Sequence, residues 1–243
     1  GIIPVVLDVT KGESIEAAVR SVRAKIGSSG HLNALVNCAG VGINAPLHIL
    51  EEREVRQMVN VNYLGSILLT RAALPLMKHG SSRLVFISSA MALLRTPTIS
   101  VYCSTKAGIE GFADAMRIEL IPAGIKVSII EPGVIRTPMI EGTLPVLENK
   151  LLPRMTNEDR KRYEPMMRKI AELASDPKTG SSTEVTSKAI VHALTAAKPR
   201  IRYRAGSDST VAAVIGNLPY AMQDWIQRKI YRLYMSVQLR FSL

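Results

Sequence analysis

Short apolar runs alternate with amphipathic stretches along most of this chain, and this alternation constrains the fold more than any other feature. The runs begin at Ile2, Leu32, Arg83 and Lys126. Each run is short and rich in β-branched residues, which is typical of a buried strand, and the apolar residues between the runs recur with helical period. Strands that are apolar throughout and alternate with helices predict an α/β fold, a doubly wound parallel sheet covered on both faces.

The individual elements follow from these patterns. Strands are predicted at 2–8, 32–38, 83–88, 126–131 and 200–204. Helices are predicted to start from a capping-box pattern at 10–13 and to cover 51–77, 102–121 and 182–196. Residues 138–180 carry several prolines and scattered Met and Leu, which indicates a helical lid, and 211–243 are apolar and basic. We expect one domain over 1–243, because this length suffices for a single large core.

Composition narrows the class of protein. A chain that is 47% hydrophobic and 21% charged is globular. Its net charge of +11 lies mostly in the last third, and without a nucleic-acid or metal-binding motif it indicates a phosphate-bearing cofactor and a basic tail near a membrane rather than nucleic acid. The two cysteines, Cys38 and Cys103, suggest no disulfide framework and fit an intracellular setting. No signal peptide or membrane-spanning run is evident.

The polar residues that follow the predicted strands indicate where a ligand binds. In a doubly wound sheet, ligands lie at the carboxyl ends of the strands. Asp8, the segment 38–40, Ser89 and the segment 132–133 all follow predicted strands directly. We therefore expect the functional site at this edge of the sheet.

Tyr102 and Lys106 form the most informative pair at this edge. They are four residues apart, so they share one face of the predicted helix, and Ser89 lies at the end of the preceding strand. An ammonium ~5 Å from a phenol, at an effective dielectric of ~20, favours the phenolate by roughly 3 kcal/mol, or about two pKa units. Tyr102 would then be a usable general acid or base near neutral pH. Alternatively, Tyr102 and Lys106 are only a surface pair.

Five motifs occur in order along the predicted elements. They are Asn37-Cys38-Ala39-Gly40, the segment 60–65 (NVNYLG), Ser89, Tyr102-Cys103-Ser104-Thr105-Lys106 and the segment 132–137 (PGVIRT). With this order and spacing, the chain resembles the short-chain dehydrogenase/reductase family over almost its whole length. The resemblance implies a Rossmann-like fold and reversible hydride transfer between NAD or NADP and a carbon that bears oxygen.

The resemblance also implies roles for four catalytic residues. Tyr102 matches the acid/base of the family, and Lys106 matches the residue that lowers its pKa and holds the nicotinamide ribose. Ser89 matches the residue that binds the substrate oxygen, and Asn62 the residue that positions a water for a proton relay to Lys106. Taken singly, Ser89 reads equally as a strand-end hydroxyl and Asn62 as a surface amide on a helix.

A second set of residues matches the cofactor cleft of the family. Asp8 and Val9 match the contacts to adenine, and Thr137 matches a contact to the carboxamide. Tyr102 and Lys106 belong to this set as well, and its other members are Asn37, Ala39, Gly40, Pro132, Gly133 and Ile135. Alternatively, Asp8 only ends a strand, Asn37 is a loop amide, and Thr137 belongs to a turn after Pro132-Gly133.

The chain departs from the family pattern at its start. The glycine-rich pyrophosphate loop of the family, which belongs to a helix N-terminus after the first strand, does not occur before Asp8. The resemblance therefore implies a sheet that lacks its first two strands and that loop, and it leaves the choice between NAD and NADP open. Cys38 stands where the family more commonly has Asn. An alternative reading follows, in which the chain is a truncated, cofactor-free isoform or fragment that acts only as an interaction protein.

Further details resemble the family members that oxidise steroids and retinoids. They are Glu131 before Pro132-Gly133, the lid, the segment 199–206 and the tail. The resemblance implies a small apolar alcohol or carbonyl substrate and a homodimer or homotetramer. In the tail, Trp225, Ile226, Ile230, Leu233, Tyr234, Val237 and Phe241 recur with helical spacing. This pattern predicts either peripheral membrane contact or a packed terminal helix, and we expect a cytoplasmic location or one on an intracellular membrane.

Overall fold

Four parallel strands form one sheet, in the order β1-β2-β3-β4. This computed structural model describes residues 1–176 and 178–239, and side chains only as far as Leu233 in the last helix. The strands are β1 Ala34–Asn37, β2 Arg83–Ile87, β3 Lys126–Pro132 and β4 Arg202–Ala205. Helices connect the strands and flank the sheet, so the predicted Rossmann-like fold class is confirmed.

Helices cover the two faces of the sheet. The helices of the described residues are α1 Gly12–Ile26, α2 Glu52–Val59, α3 Gly65–Ala73, α4 Met91–Leu94, α5 Ser100–Glu119, α6 Pro138–Glu141, α7 Thr143–Val146, α8 Asn157–Ser175, α9 Thr183–Thr195, α10 Ser207–Gly216 and α11 Tyr220–Leu239. Successive side chains of a strand point to opposite faces. Leu84 and Phe86 of β2 therefore pack in the core against α5, while Val85 packs with Ile130 of β3 in the core against α9.

The helix predicted at 51–77 is interrupted in its middle. A π-helical turn at Asn60–Leu64 separates α2 from α3, and a 3₁₀ turn at Leu74–Leu76 ends the unit. The apolar periodicity of the sequence does not distinguish a π turn from an α turn, so the interruption is a correction to the prediction.

The predicted lid is helical along most of its length and is anchored by charge. A π turn at Leu147–Leu151 and a 3₁₀ turn at Leu152–Arg154 follow α7 and lead into α8. Several Met and Leu side chains of this region are buried together as core, namely Leu147, Leu151, Leu152, Met155 and Met167. Two ion pairs also join the lid to α2, and we call them the lid anchor. The Glu54 carboxylate of α2 lies 2.7 Å from the Lys150 ammonium and 2.9 Å from the Arg154 guanidinium of the lid.

The strand predicted at 2–8 is not a strand in this structure. Within the described residues, 1–7 make no β-pairing, and Ile2 and Val6 are 100% and 93% exposed. A run of apolar residues becomes a strand only where it pairs with a neighbouring strand, and neither edge strand of this sheet, β1 or β4, pairs with residues 1–7. The capping box predicted at 10–13 is also wrong, because α1 has Lys11 at its N-cap without a side-chain cap.

Candidate active site

The π turn directs Asn62 into the interior of the site. Asn62 is 1% exposed, its Nδ2 donates to Val41 O at 2.8 Å, and its Oδ1 accepts from Val41 N at 2.8 Å. Nδ2 also lies 3.1 Å from Thr105 Oγ1 on α5. The amide thus joins the loop after β1 to the helix that carries Tyr102 and Lys106. π turns inside helices frequently occur at functional sites, and here the turn supports the residue that the sequence singled out.

Ser89, Tyr102 and Lys106 meet where β2 ends and α5 begins. Tyr102 is hydrogen-bonded with Ser89. Lys106 Nζ lies 5.7 Å from the centroid of the Tyr102 ring and donates to Ile87 O at 2.9 Å. Lys106 is 4% exposed. The predicted hydroxyl, phenol and ammonium therefore converge on one corner of the sheet.

The protonation of this corner differs from the sequence-based expectation. Burial raises the pKa of Tyr102 above its ordinary value, and the hydrogen bond with Ser89 offsets this only in part. Burial also lowers the pKa of Lys106 to about 8, although the neighbouring Cys38 acts in the opposite direction. Desolvation therefore dominates the pKa of Tyr102, and the lowering expected from Lys106 is not seen in this structure. Tyr102 is therefore protonated at neutral pH and can act as a general acid.

The residues after β1 line the space beside Lys106. Asn37 Nδ2 donates to Thr70 Oγ1 of α3 at 3.0 Å, while Asn37 Oδ1 is buried and has no hydrogen-bond partner in the described part of the chain. Gly40 lies next to the ammonium, since a Cβ there would come within 3.5 Å of Lys106 Nζ. Ala39 precedes it and is exposed. Gly40 and the Lys106 ammonium are thus close neighbours at the loop after β1.

The segment after β3 is held by an aspartate of α10. Asp208 Oδ2 accepts from Val134 N at 2.5 Å, and a Cβ on Gly133 would come within 2.1 Å of Asp208 Oδ1. Only glycine allows this approach. Ile135 pairs with Ser181 in an isolated parallel bridge, and Thr137 is the N-cap residue of α6.

Asp8 lies at the start of α1 and Val9 lies against α3. The Asp8 side chain accepts hydrogen bonds from Thr10 N and Thr10 Oγ1, which lower its pKa. Val9 is 9% exposed and packs against Gly65 of α3. The Asp8 side chain thus stabilises the turn that precedes α1. Its contact to adenine stays a prediction.

Comparison with known proteins places the chain in a family. The short chain dehydrogenase family matches residues 1–145. The chain is 38% identical over 233 residues to short-chain dehydrogenase/reductase family 9C member 7 of Bos taurus, covering 91% of this chain and 72% of that protein. It is 36% identical to retinol dehydrogenase 5 of Mus musculus, covering 84% of this chain and 65% of that protein. The chain belongs to the short-chain dehydrogenase family.

Solved structures of short-chain dehydrogenases share the fold described above. A short-chain dehydrogenase from Streptomyces avermitilis matches 96% of this chain and 78% of its own, with a TM-score of 0.68 and 26% identity. A short chain dehydrogenase from Burkholderia cenocepacia in complex with NADP matches 87% of this chain and 74% of its own, with a TM-score of 0.64 and 20% identity. Members of this family are dehydrogenases and reductases that use NAD or NADP, in agreement with the prediction from the motifs.

The residues of this short-chain dehydrogenase fit the ribose and nicotinamide end of such a cofactor. An ammonium carries three donors, and the bond to Ile87 O leaves two of those of Lys106 for a ribose hydroxyl. Gly40 keeps the adjacent space open, and the orphaned Oδ1 of Asn37 offers an acceptor nearby. The glycine-rich loop that would hold the pyrophosphate does not occur in the 243 residues.

Several residues of the site escaped the sequence analysis. Thr105 and Thr70 hold Asn62 and Asn37 in place, and Asp208 holds the segment after Gly133. Thr105 lies inside the Tyr-Lys motif, so its position carried a signal. Asp208 is 76 positions beyond Pro132 in the chain, and nothing local in the sequence connects the two.

Proposed function

We propose that the protein that contains this chain is an NAD- or NADP-dependent alcohol dehydrogenase or ketone reductase, which interconverts an alcohol and a carbonyl group on an apolar substrate. One observation carries the proposal. Ser89, Tyr102 and Lys106 converge at one corner of the sheet, and the buried amide of Asn62 locks the helix that bears two of them. Relatives of the same family, among them the retinol dehydrogenases, support it.

We propose a role for each side chain, which its contacts support. The cofactor supplies or accepts the hydride. Ser89 and Tyr102 are neighbours, and each would turn its hydroxyl proton toward the substrate oxygen, where negative charge develops. Tyr102, protonated at neutral pH, gives its proton to that oxygen during carbonyl reduction. Lys106 binds the ribose with its remaining donors, and Asn62 keeps Lys106 and the loop after β1 in fixed relative positions.

The proposed substrate is an apolar alcohol or carbonyl compound such as a retinoid or a steroid. Retinol dehydrogenase 5 of Mus musculus and retinol dehydrogenase 16 of Rattus norvegicus are 36% and 35% identical to the chain. D-beta-hydroxybutyrate dehydrogenase of Bos taurus is 34% identical, and its name points to a small polar substrate instead. Apolar side chains that the lid region exposes, Met139 and Val146, support the apolar class.

The proposal is tested with the natural full-length protein that contains these 243 residues. We expect reduced nicotinamide to form when the protein is given NAD or NADP with retinol or a hydroxysteroid, and not with hydroxybutyrate. Spectrophotometric rates for the three alcohols, with the Tyr102→Phe protein as the blank, decide between them. Turnover of hydroxybutyrate alone would contradict the substrate class, and no turnover of any alcohol or carbonyl would contradict the activity.

A second function, an interaction protein that binds no cofactor, is favoured by one observation. The apolar residues Ile2, Ile3 and Val6 are 100%, 59% and 93% exposed, which is typical of a segment that binds another protein. Calorimetric titration of the 243-residue chain with NADH and NADPH distinguishes the two functions. Binding of either nucleotide, lost in Lys106→Met, would exclude the interaction protein.

We also propose that the complete protein is a homodimer or homotetramer. Val59 and Leu64 on the unit around Asn62, and Ile118 on α5, are 36%, 43% and 64% exposed. A second copy packed against these helices would cover all three. Light scattering combined with size-exclusion chromatography tests this, and a monomer at micromolar concentration would contradict it.

The last helix supports a proposed membrane contact of an intracellular protein. Trp225, Met222 and Leu233 on α11 are 62%, 50% and 62% exposed, and Arg228 and Lys229 lie on the same helix. Such a helix binds an anionic lipid surface. Of the predicted apolar series, Phe241 lies outside the described residues, as does the end of the segment 211–243. No helix in the ranges that the structure describes is long and apolar enough to span a membrane.

Co-sedimentation with anionic vesicles tests the membrane contact. We expect the intact protein to bind vesicles that contain phosphatidylserine and a protein shortened by residues 225–243 to stay in solution. Equal binding by the two proteins would show that α11 only packs on the domain.

A further inference from the structure

A cluster of four charged side chains, of which two carboxylates are buried and the other two groups are half-buried, joins α5 to strands β3 and β4, outside the groups assigned above. Arg202 of β4 lies at its centre. Its Nη1 donates to Glu110 Oε2 at 2.7 Å and to Glu131 Oε1 at 2.6 Å, and its Nη2 donates to Asp114 Oδ2 at 2.7 Å. Glu110 and Glu131 are 6% and 1% exposed. One guanidinium therefore links the helix of Tyr102 and Lys106 to two neighbouring strands.

The cluster reaches the active site through a serine hydroxyl. Ser88 Oγ donates to the second carboxylate oxygen of Glu110, Oε1, at 2.6 Å. Ser88 directly precedes Ser89, and Glu110 follows Lys106 by one helical turn. In the same place Lys106 Nζ donates to Ile87 O at 2.9 Å. Three consecutive residues at the end of β2 are thus tied to one face of α5, two by these bonds and Ser89 by its bond to Tyr102.

Stability alone does not account for such a cluster. Removing charges from water costs free energy, and a buried ion pair often stabilises a fold no better than apolar side chains of the same volume. Burial indeed raises the pKa of Glu110, against the opposing effects of Ser88 and Arg202. A buried network whose hydrogen bonds are all satisfied instead holds the segments that it joins in one relative position.

We propose that Glu110 and Arg202 are positioning residues, which hold the strand end that bears Ser89 in register with the helix that bears Tyr102 and Lys106. The inference rests on the proposed function, because it assumes the catalytic roles of those three residues. Arg202 fixes the carboxylate of Glu110, Glu110 fixes the hydroxyl of Ser88, and the main chain transmits that position to Ser89. Because Glu131 precedes Pro132-Gly133, the same guanidinium also fixes the strand that leads to the predicted carboxamide contacts.

Steady-state kinetics of the full-length protein test the inference. We expect Ser88→Ala and Glu110→Gln each to lower kcat about tenfold to a hundredfold with KM nearly unchanged, because a small displacement of a reacting group has an effect of this size. Their effects should not add, since both variants break one chain of contacts. Ile109→Val is the matched control, because Ile109 is the neighbour of Glu110 in the core and is 1% exposed.

Conservative replacement of Arg202 distinguishes its positioning role from the effect of its charge alone. Arg202→Met removes the guanidinium, whereas Arg202→Lys keeps a positive charge but only a single donor group. We expect Arg202→Lys to recover part of the kcat that Arg202→Met loses. A merely structural role would instead lower the melting temperature of both variants and leave the kcat of the folded fraction unchanged.

A measurement without substrate completes the test. Ser88 N donates to Ile130 O, and Ala90 N donates to Pro132 O. We expect faster amide hydrogen exchange at residues 88–90 in Ser88→Ala and Glu110→Gln, and exchange as in the parent in Ile109→Val. If Tyr102→Phe abolishes turnover while Ser88→Ala and Glu110→Gln behave as Ile109→Val does, the positioning role is overturned and the proposed function stands. If Tyr102→Phe keeps its turnover, the proposed function itself fails.

Discussion

Two buried charges in this molecule have opposite surroundings. Lys106, 4% exposed, has the Ile87 carbonyl as its hydrogen-bond acceptor in the described residues, and burial lowers its pKa to about 8. Glu54 of the lid anchor is also buried, and burial alone would raise its pKa. Lys150, the Glu51 amide and Arg154 reverse that effect and lower the pKa to about 2.

The difference shows how the fold separates the proposed catalytic lysine from the charges that attach the lid. A buried charge surrounded by opposite charges stays ionised over the whole physiological range and ties two segments together. A buried ammonium without a carboxylate is poised near neutral pH and keeps donors free for a ligand. The lid anchor therefore serves the fold, whereas the Lys106 corner is where we propose that the chemistry occurs, although both are charges in the interior.

Tyr102→Phe should have the largest effect on the chemical side of the comparison. It removes the proton carrier and keeps the ring, so we expect kcat to fall by about 10²–10⁴-fold while the cofactor affinity and the melting temperature stay close to those of the parent. Single-turnover rates and fluorescence titration with NADH measure the two quantities. A rate within tenfold of the parent would remove Tyr102 from the catalytic set.

Glu54→Gln should have the largest effect on the structural side. The pKa of about 2 in the fold lies below the ordinary value of 4.5. The ionised carboxylate therefore stabilises the fold above pH ~4.5, and this contribution disappears as the pH falls through ~2. We expect the variant to lose about 2–3 kcal/mol of unfolding free energy at pH 7.

Urea unfolding of the parent and of Glu54→Gln as a function of pH checks this expectation. The two curves should converge as the pH decreases toward 2. A constant difference over the whole acid range would mean that the side chain contributes shape and not charge.

Lys106→Met should stabilise the fold while it abolishes activity. The pKa of Lys106 falls from 10.5 to about 8 on folding, so the unfolded chain binds more protons between these values and the parent gains stability as the pH rises through them. At pH 7 we expect Lys106→Met to be more stable than the parent by about 1–3 kcal/mol. The gain should vanish above pH ~10.5, and thermal unfolding at several pH values measures it.

A lower stability of Lys106→Met at neutral pH would contradict the comparison. It would show that the bond to Ile87 O outweighs the cost of burying the ammonium.

Asp224→Asn should have the smallest effect on the unfolding free energy, and it serves as the reference for the other variants. Asp224 and Arg228 form an exposed i, i+4 ion pair on α11, with side chains 61% and 70% exposed. Exposed pairs contribute little because water and salt screen them, so we expect the unfolding free energy to change by less than ~0.5 kcal/mol. Urea unfolding measures it, and a change as large as that of Glu54→Gln would show that burial does not explain the contrast between charges.

The sequence predicted the elements that local patterns determine. Helix α5 was expected at 102–121 and covers Ser100–Glu119, and β3 was expected at 126–131 and covers Lys126–Pro132. The resemblance to the family also implied that Asn62, Ser89, Tyr102 and Lys106 belong to one site, and the structure brings them together. The helix and strand predictions hold because residues close in sequence decide them.

The features that the sequence did not predict depend on residues far apart in the chain. Residues 2–8 have the pattern of a strand, yet pairing depends on an available neighbour that the pattern does not describe. Arg202 meets Glu110 across 92 positions, and Arg154 meets Glu54 across 100. The pKa of Tyr102 likewise depends on how many groups exclude water from it, and spacing along a helix carries no such information.

The π turn at Asn60–Leu64 determines how this helix tolerates changes in length. An α-helix turns by about 100° per residue, so a one-residue deletion within α2 or α3 would rotate every later side chain off its packing surface. A π turn holds one residue more than an α turn. A deletion inside it would therefore restore a continuous α-helix, leave the flanking helices in register and withdraw Asn62 from Val41 and Thr105. A natural variant shortened here by one residue would keep its fold and lose the contacts of Asn62, so the length of this segment is a direct marker, among related sequences, of whether the loop after β1 is held to α5.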